Sequence, residues 1–108
     1  DPSPRGVAPF RPPPPMPAAT RDLGLVAPWS VPVAAIDAEI RRVGGALVES
    51  VEPIDEYRGA GVAGDARSVA VRVVFRGRGR TLKDAEVDHA VTRILTTLEK
   101  QLGVSLRR

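Results

Sequence analysis

The sequence predicts an α+β domain in which two helices cover one face of a four-stranded antiparallel sheet. Three segments alternate apolar and polar residues, which is the period of strands with one buried face: residues 21–27, 51–57 and 68–75. Two longer segments repeat apolar residues every three or four positions, which is the period of amphipathic helices: residues 32–43 and 84–102. A short apolar segment at residues 104–106 completes the order strand, helix, strand, strand, helix, strand.

Proline and glycine bound the first strand and the first helix. Residues 28–30, which include a proline, end the strand predicted over residues 21–27. Pro32 suits the first turn of the helix that follows, because its ring fixes a helical φ and it has no amide hydrogen to leave unpaired. Gly44 and Gly45 end that helix, as glycine does at a left-handed C-terminal position.

The second and third strands are expected to form a hairpin. Side chains alternate between the two faces of a strand, so one face of the third strand holds Val69, Val71, Val73 and Phe75. The other face then holds Ser68, Ala70, Arg72 and Val74. Pro53 lies inside the second strand and removes a donor from the ladder. This strand is therefore predicted to lie at a sheet edge or to carry a bulge at Pro53.

The second helix and the proline-rich start complete the plan of the chain. The helix over residues 84–102 has acidic residues in its first turns, the end that favours negative charge. Right-handed crossovers place both helices on one face of the sheet, which gives a ferredoxin-like βαββαβ sandwich with one open face. Residues 1–19 hold eight of the eleven prolines and are predicted to be an extended or disordered linker or arm. The folded domain is assigned to residues 20–108.

The composition excludes several kinds of site. With no cysteine there is no disulfide, thiolate nucleophile or cysteine-ligated zinc. The absence of cysteine is compatible with a reducing, cytoplasmic setting. No segment approaches the roughly 20 apolar residues needed to span a bilayer, so no membrane contact is expected. No Ser/His/Asp set, phosphate-binding glycine loop or metal-ligand cluster is present, so the chain alone is predicted to have no catalytic residue, metal or cofactor. The net charge of +3 is mild, but arginine makes up all but two of the basic residues, which slightly favours RNA.

The open face of the predicted sheet holds the candidate functional residues. If the second and third strands pair, Asp55 and Tyr57 lie on the same face as Ser68, Ala70 and Arg72. A carboxylate, a phenol ring, a hydroxyl, a small residue and a guanidinium on one surface are suited to stacking and hydrogen bonding with a base. From spacing alone, Tyr57 is also compatible with a cap on the sheet edge, and Asp55 with a turn or a salt bridge.

Several segments resemble a known family in the same order over residues 10–108. They are Arg21-Asp22-Leu23-Gly24-Leu25-Val26, Ile54-Asp55-Glu56-Tyr57-Arg58-Gly59, Arg67-Ser68-Val69-Ala70, Arg80-Thr81-Leu82 and Ser105-Leu106-Arg107. Together they resemble the C-terminal ferredoxin-fold anticodon-binding domain of the bacterial phenylalanyl–tRNA synthetase beta subunit. The sequence departs from the family pattern at Pro53 and Ile54, where Leu-Phe is usual, and at Glu56, where an apolar residue is usual.

The resemblance implies a domain that binds the anticodon stem-loop of phenylalanine tRNA and performs no catalysis itself. It implies a parent enzyme, phenylalanine–tRNA ligase, with two alpha and two beta subunits, catalysis in the alpha subunit, and ATP and magnesium as cofactors. The expected partners are this tRNA, the remainder of the beta subunit and the alpha subunit. The isolated domain is expected to be a monomer.

The resemblance also assigns roles to residues. Tyr57 matches a tyrosine that stacks on an anticodon base, and Asp55 matches the acidic residue two positions earlier. The first anticodon base for phenylalanine is guanine, whose adjacent N1–H and N2–H donors suit a carboxylate, so Asp55 is expected to recognise it on the Tyr57 platform. Ala70 leaves room for a flat base, and Ser68 is expected to bond a base edge or a 2′-hydroxyl. The arginines predicted to contact phosphate are Arg58, Arg67 and Arg72.

Two other functions share this topology. An RNA-recognition motif places aromatic residues on the outward faces of the first and third strands. This chain instead has Asp22, Gly24, Val26, Ser68, Ala70 and Arg72 at those positions, which argues against that motif. A small-molecule-binding regulatory domain stays open as the alternative, and it would pair through helices or edge strands with ligand at the interface.

Overall fold

The computed structural model describes residues 18–58, 64–77, 79 and 81–107. Its elements are β1 (Ala18–Pro28), α1 (Val33–Gly44), a 3₁₀ turn (Gly45–Leu47), β2 (Val48–Tyr57), β3 (Ala66–Arg76), α2 (Asp84–Leu102) and β4 (Ser105–Leu106). The strands form one antiparallel sheet in the order β2-β3-β1-β4. The predicted βαββαβ order and the ferredoxin-like α+β fold are therefore confirmed.

β1 begins earlier than the sequence pattern predicts. Ala18 and Ala19 are in the sheet, although the alternation of apolar and polar residues starts only at Arg21. The ladder continues because β3 is as long as β1, 11 residues each, and the two strands pair over their whole length. Residues 1–17, the rest of the predicted arm, lie outside the described residues.

The described core lies between the sheet and the helices and is built mainly from aliphatic side chains. The inward residues predicted for β3 are all buried: Val69, Val71, Val73 and Phe75. The helices cover them with buried residues at helical spacing: Ile36 and Ile40 on α1, and Val87, Ala90, Ile94 and Leu98 on α2. Fully burying an aliphatic or aromatic side chain of this size stabilises the fold by about 1.5–3 kcal/mol. This layer holds the sheet in place and leaves its opposite face uncovered.

Glycines end both helices, and for the first helix the sequence predicts this. Gly45 follows α1 with a φ of 58°, and Gly103 follows α2 with a φ of 68°, in the region that only glycine enters readily. At Gly44 an added Cβ would lie less than 3.0 Å from a methyl group of Val48, so the end of α1 packs closely on the start of β2. In the described part of the chain, neither helix is long and apolar enough to cross a membrane.

β2 is an edge strand with two irregularities. In the described sheet it neighbours only β3. Its register shifts between Val48 and Ser50, and again between Pro53 and Asp55. Both predictions made from Pro53, an edge position and a bulge, are therefore confirmed. Each shift adds one residue to β2, and an added residue changes the face on which the following side chains lie.

Candidate nucleic-acid interface

The second bulge of β2 determines where Asp55 and Tyr57 lie. Val51 stands opposite Val73 and is buried among the core residues. Asp55 and Tyr57 are an even number of positions from Val51, so strict alternation would turn all three toward the helices. Without an irregularity in the strand, the carboxylate and the phenol would therefore face the core.

Ile54 is the added residue that changes the face. The register passes from Pro53 opposite Val71 to Asp55 opposite Ala70, so Ile54 has no opposite residue on β3. Its side chain is 43% exposed. Because one inserted residue moves every later side chain to the other face, Asp55 joins Ala70 on the face that the helices leave open. The structure thus brings these residues together as the sequence predicts, through an irregularity at Pro53 and Ile54, two of the three positions that depart from the family pattern.

A row of small residues crosses this open face beside Asp55. Asp55 lies opposite Ala70, which lies opposite Gly24 of β1. Beyond Gly24, the backbone N–H of Arg107 donates to the Gly24 carbonyl at 2.7 Å. The row therefore has a carboxylate at one edge of the sheet, an arginine at the other, and two of the smallest side chains between them. We call this row, together with Tyr57, the trough, since its low floor leaves space for a planar group.

Asp55 presents an exposed carboxylate at one end of the trough. Its Oδ1 accepts the backbone N–H of Glu56 at 2.9 Å, and this bond orients the carboxylate. Its other oxygen has no hydrogen-bond partner among the residues that the structure describes. A carboxylate oriented in this way retains acceptor capacity for donors on a ligand.

Tyr57 belongs to the neighbouring row of outward-facing residues, two positions along each strand from the trough floor. It lies opposite Ser68, which lies opposite Val26 of β1. The tyrosine is 37% exposed, whereas Ser68 is only 2% exposed. Ser68 is on the predicted face, but in the free chain it is covered by side chains lying over that face. Its predicted bond to a base edge or a 2′-hydroxyl therefore stays a prediction, because the covering side chains would have to move first.

Arg107 is the residue of this face that sequence reasoning missed. Its NH1 donates to the hydroxyl of Tyr57, and its Cζ lies 5.3 Å from the centre of the tyrosine ring, within cation–π range. The two residues are 50 positions apart, so no spacing pattern connects them. One signal was available: Arg107 follows Ser105 by two positions, and Ser105 pairs with the outward residue Val26.

Arg72 lies on the open face but is already bound to a carboxylate. Its Nε and NH2 donate to the two oxygens of Asp22 at 2.9 and 3.2 Å, and Glu52 stands opposite it on β2. The hydrogen bonds from Arg72 hold the pKa of Asp22 below its ordinary value, and those same bonds raise the pKa of Arg72. Two carboxylates beside one guanidinium leave this part of the face net negative. The phosphate contact predicted for Arg72 stays a prediction, because the ion pair is exposed and a phosphate would have to compete with Asp22 for the guanidinium.

The structure contradicts the phosphate contact predicted for Arg67, because this side chain faces the helices. It shares the parity of Val69 on β3 and is only 3% exposed. Its Nε donates to Glu56 at 2.9 Å, and its NH1 donates to the carbonyl oxygens of Pro28 and, at 3.4 Å, Ala27. The guanidinium therefore joins the ends of three strands and is not available to a phosphate.

Arg58 also turns away from the trough. It follows Tyr57 by one position, and its Cζ lies 4.8 Å from the centre of the Trp29 ring. The Cζ of Arg67 lies 5.1 Å from the same ring, and Trp29 is 44% exposed. Arg58 itself is exposed at the rim of the sheet, so its predicted contact with a phosphate stays a prediction. Trp29 packs against cations here, in agreement with a packing role at the end of β1.

Comparison with known proteins gives one consistent family. The model of the ferredoxin-fold anticodon binding domain matches residues 14–107. Phenylalanine–tRNA ligase beta subunits are similar: one from a Synechococcus species is 46% identical over 95% of this chain, and one from a Synechocystis species is 44% identical over 94%. A third, from Moorella thermoacetica, is 42% identical over 92%. The chain covers only 12–13% of the length of these relatives.

Proposed function

Because the chain belongs to the family of ferredoxin-fold anticodon-binding domains, we propose that its open face binds the anticodon stem-loop of phenylalanine tRNA. The observation that carries this proposal is the trough, in which an aromatic ring and an oriented carboxylate stand beside a floor of Ala70 and Gly24. Single-stranded bases are commonly bound by stacking on an aromatic side chain, with hydrogen bonds to their edges for specificity.

Each wall of the trough has a separate role in this proposal. The ring of Tyr57 supplies a stacking surface that accepts any base. Asp55 supplies specificity, because a carboxylate accepts the adjacent N1–H and N2–H of guanine, whereas adenine offers no such pair of donors there. Gly24 and Ala70 allow the base to approach the sheet, since larger side chains at these positions would fill the floor.

The remainder of the parent enzyme enters the proposal by family membership. We place the domain in the beta subunit of a cytoplasmic phenylalanine–tRNA ligase with two alpha and two beta subunits. Catalysis, with ATP and magnesium, is then the task of the alpha subunit. Among the residues that the structure describes, no three His, Asp or Glu side chains form a possible metal site. We propose that the detached domain is a monomer.

The test is binding of a labelled phenylalanine anticodon stem-loop to the 108-residue chain at low salt, since the net charge of +3 gives only a small phosphate attraction. Loss of stacking in Tyr57→Ala should weaken binding about 5- to 150-fold, from about 1–3 kcal/mol per stacked base. Asp55→Asn should reduce the preference for guanine over adenine at the first anticodon position. Asp88→Asn, on α2, is the matched control and should bind as the wild type does.

The outcomes separate this function from its alternative. Equal binding by wild type, Tyr57→Ala and Asp55→Asn would contradict the assignment to the trough. A chain that binds no stem-loop and forms a stable dimer in solution would instead favour the small-molecule regulatory domain. Analytical ultracentrifugation of the same samples supplies the second measurement.

A further inference from the structure

The trough is not open in this structure, because an arginine lies in it. Arg107 starts at the β4 edge of the sheet, while Tyr57 belongs to β2 at the opposite edge. The guanidinium nevertheless lies 5.3 Å from the centre of the tyrosine ring and donates to the tyrosine hydroxyl. The two side chains together therefore span the sheet, and Ser68 between their strands is left 2% exposed.

The floor of the trough allows this crossing. The backbone N–H of Arg107 is fixed to the Gly24 carbonyl at 2.7 Å, so its side chain starts at a defined position on the face. A Cβ added to Gly24 would lie 3.9 Å from the Cβ of Arg107, so the arginine stem runs directly beside the bare glycine. The arginine side chain therefore uses the space above Gly24 and Ala70 that the proposed function assigns to a base.

We propose that Arg107 covers Tyr57 in the free protein and that an RNA base must displace it, so that Arg107 sets the affinity of the trough. This inference rests on the proposed function, because it concerns the same stacking surface. A guanidinium is a planar cation that stacks on an aromatic ring, so it competes with a base for that ring. The exchange is feasible at modest cost, since the departing guanidinium is exposed and its charge is solvated by water.

The first measurement uses the free chain and needs no RNA. The side-chain Nε–Hε signal of Arg107 is followed by NMR in the wild type and in Tyr57→Ala. If the guanidinium lies over the ring, the ring current shifts this proton upfield in the wild type and the shift disappears in the variant. Identical Arg107 signals in the two proteins would show that the ring is uncovered in solution and would overturn the proposal.

The second measurement adds the stem-loop to the wild type. As the RNA saturates the chain, the Arg107 signal should move to its position in Tyr57→Ala. If the chain is saturated with RNA and the Arg107 signal does not change, the proposal that a base displaces Arg107 is overturned, although the proposed RNA binding stands. If neither the wild type nor Arg107→Ala binds any stem-loop, the proposed function fails, and this inference fails with it.

The third measurement compares affinities at a salt concentration that screens the loss of one charge. Arg107→Ala should bind the stem-loop about two- to fivefold more tightly than the wild type, as expected from removing one exposed cation–π contact. Arg93→Ala, which removes an arginine from α2, is the matched control and should show no gain. In a Tyr57→Ala background the gain from Arg107→Ala should vanish. Weaker binding by Arg107→Ala than by the control would overturn the proposal and make Arg107 a direct RNA contact.

Discussion

Replacing Arg67 with methionine should destabilise the domain far more than the loss of an ordinary surface arginine would. The variant Arg67→Met keeps an unbranched apolar stem of similar length but removes a guanidinium that is 3% exposed. That group bonds Glu56 at 2.9 Å and also bonds the carbonyl oxygens of Pro28 and Ala27. It therefore connects β2 and β1 through a side chain of β3.

The expected loss in the free energy of unfolding depends on whether the hydrogen-bond partners of Arg67 find other partners once the guanidinium is removed. Glu56 is 45% exposed on its side chain, so water replaces most of its lost bond. The carbonyl oxygen of Pro28 keeps the backbone N–H of Val31 as a donor at 3.0 Å, so the loss comes mainly from the hydrogen bonds of the charged guanidinium itself, about 1.5–3 kcal/mol for such a bond. Breaking a fully buried ion pair costs about 3–5 kcal/mol, and the solvation of Glu56 removes part of that. We expect the free energy of unfolding to fall by about 2–4 kcal/mol.

Urea denaturation is the assay, followed by far-ultraviolet circular dichroism and by the fluorescence of Trp29. Trp29 is the only tryptophan of the chain, and its ring centre lies 5.1 Å from the Cζ of Arg67. Arg72→Met is the control, because it removes an exposed arginine and its ion pair from the same strand and should cost much less. Equal losses in the two variants would refute the argument that the buried guanidinium joins the strand ends.

Three further predictions concern charge and close packing. Because Arg72 lowers the pKa of Asp22 in the folded state, the stabilisation from this pair is present above the ordinary aspartate pKa of 3.8 and is lost as the pH falls through the lower folded value. When unfolding is measured from pH 6 to pH 2, the wild type should therefore lose stability more steeply with acid than Asp22→Asn does. Parallel curves for the two proteins would contradict this. Glu52→Gln should tighten stem-loop binding at low salt, because it removes a negative charge from the open face, and an unchanged Kd would mean that RNA stays away from that part of the face. Gly44→Ala should lower the free energy of unfolding by about 1–3 kcal/mol through a clash with Val48, as measured by urea denaturation. The double variant Gly44→Ala with Val48→Ala should lose less free energy of unfolding than the sum of the two single variants. A double variant whose loss equals that sum would argue against the clash.

The sequence determined the order and the type of the elements, because these depend on local patterns. Apolar residues at a period of two predicted β3 and its buried face, and apolar residues at a period of three to four predicted α1 and α2. Pro53 predicted an edge position or a bulge for β2, since proline cannot donate to a ladder wherever the strand lies, and the structure has both. These predictions were confirmed because each rests on a property of the residue itself.

The candidate site could be predicted only in part from the sequence. Asp55 and Tyr57 could be placed beside Ala70 only by assuming that the two strands pair and from the family resemblance, because strict alternation from the buried Val51 gives the opposite face. The face they occupy depends on the unpaired Ile54, and the sequence shows neither where a bulge begins nor which residue it adds. The strand predicted over residues 68–75 leaves Arg67 outside it, but β3 starts at Ala66, and the position of Arg67 in the strand turns it toward the helices.

What only the tertiary structure decided is which groups meet across the sheet. Arg72 meets Asp22, and Arg107 meets Tyr57, each pair 50 positions apart in the chain. Such contacts depend on the register of strands that the chain brings together from distant segments, and a shift of one residue would replace every one of them. The sequence by itself therefore determined that an open sheet face exists and which two residues stand out on it. The strand register decided which charges on that face are already paired, and that the arginine after the last strand lies over its tyrosine.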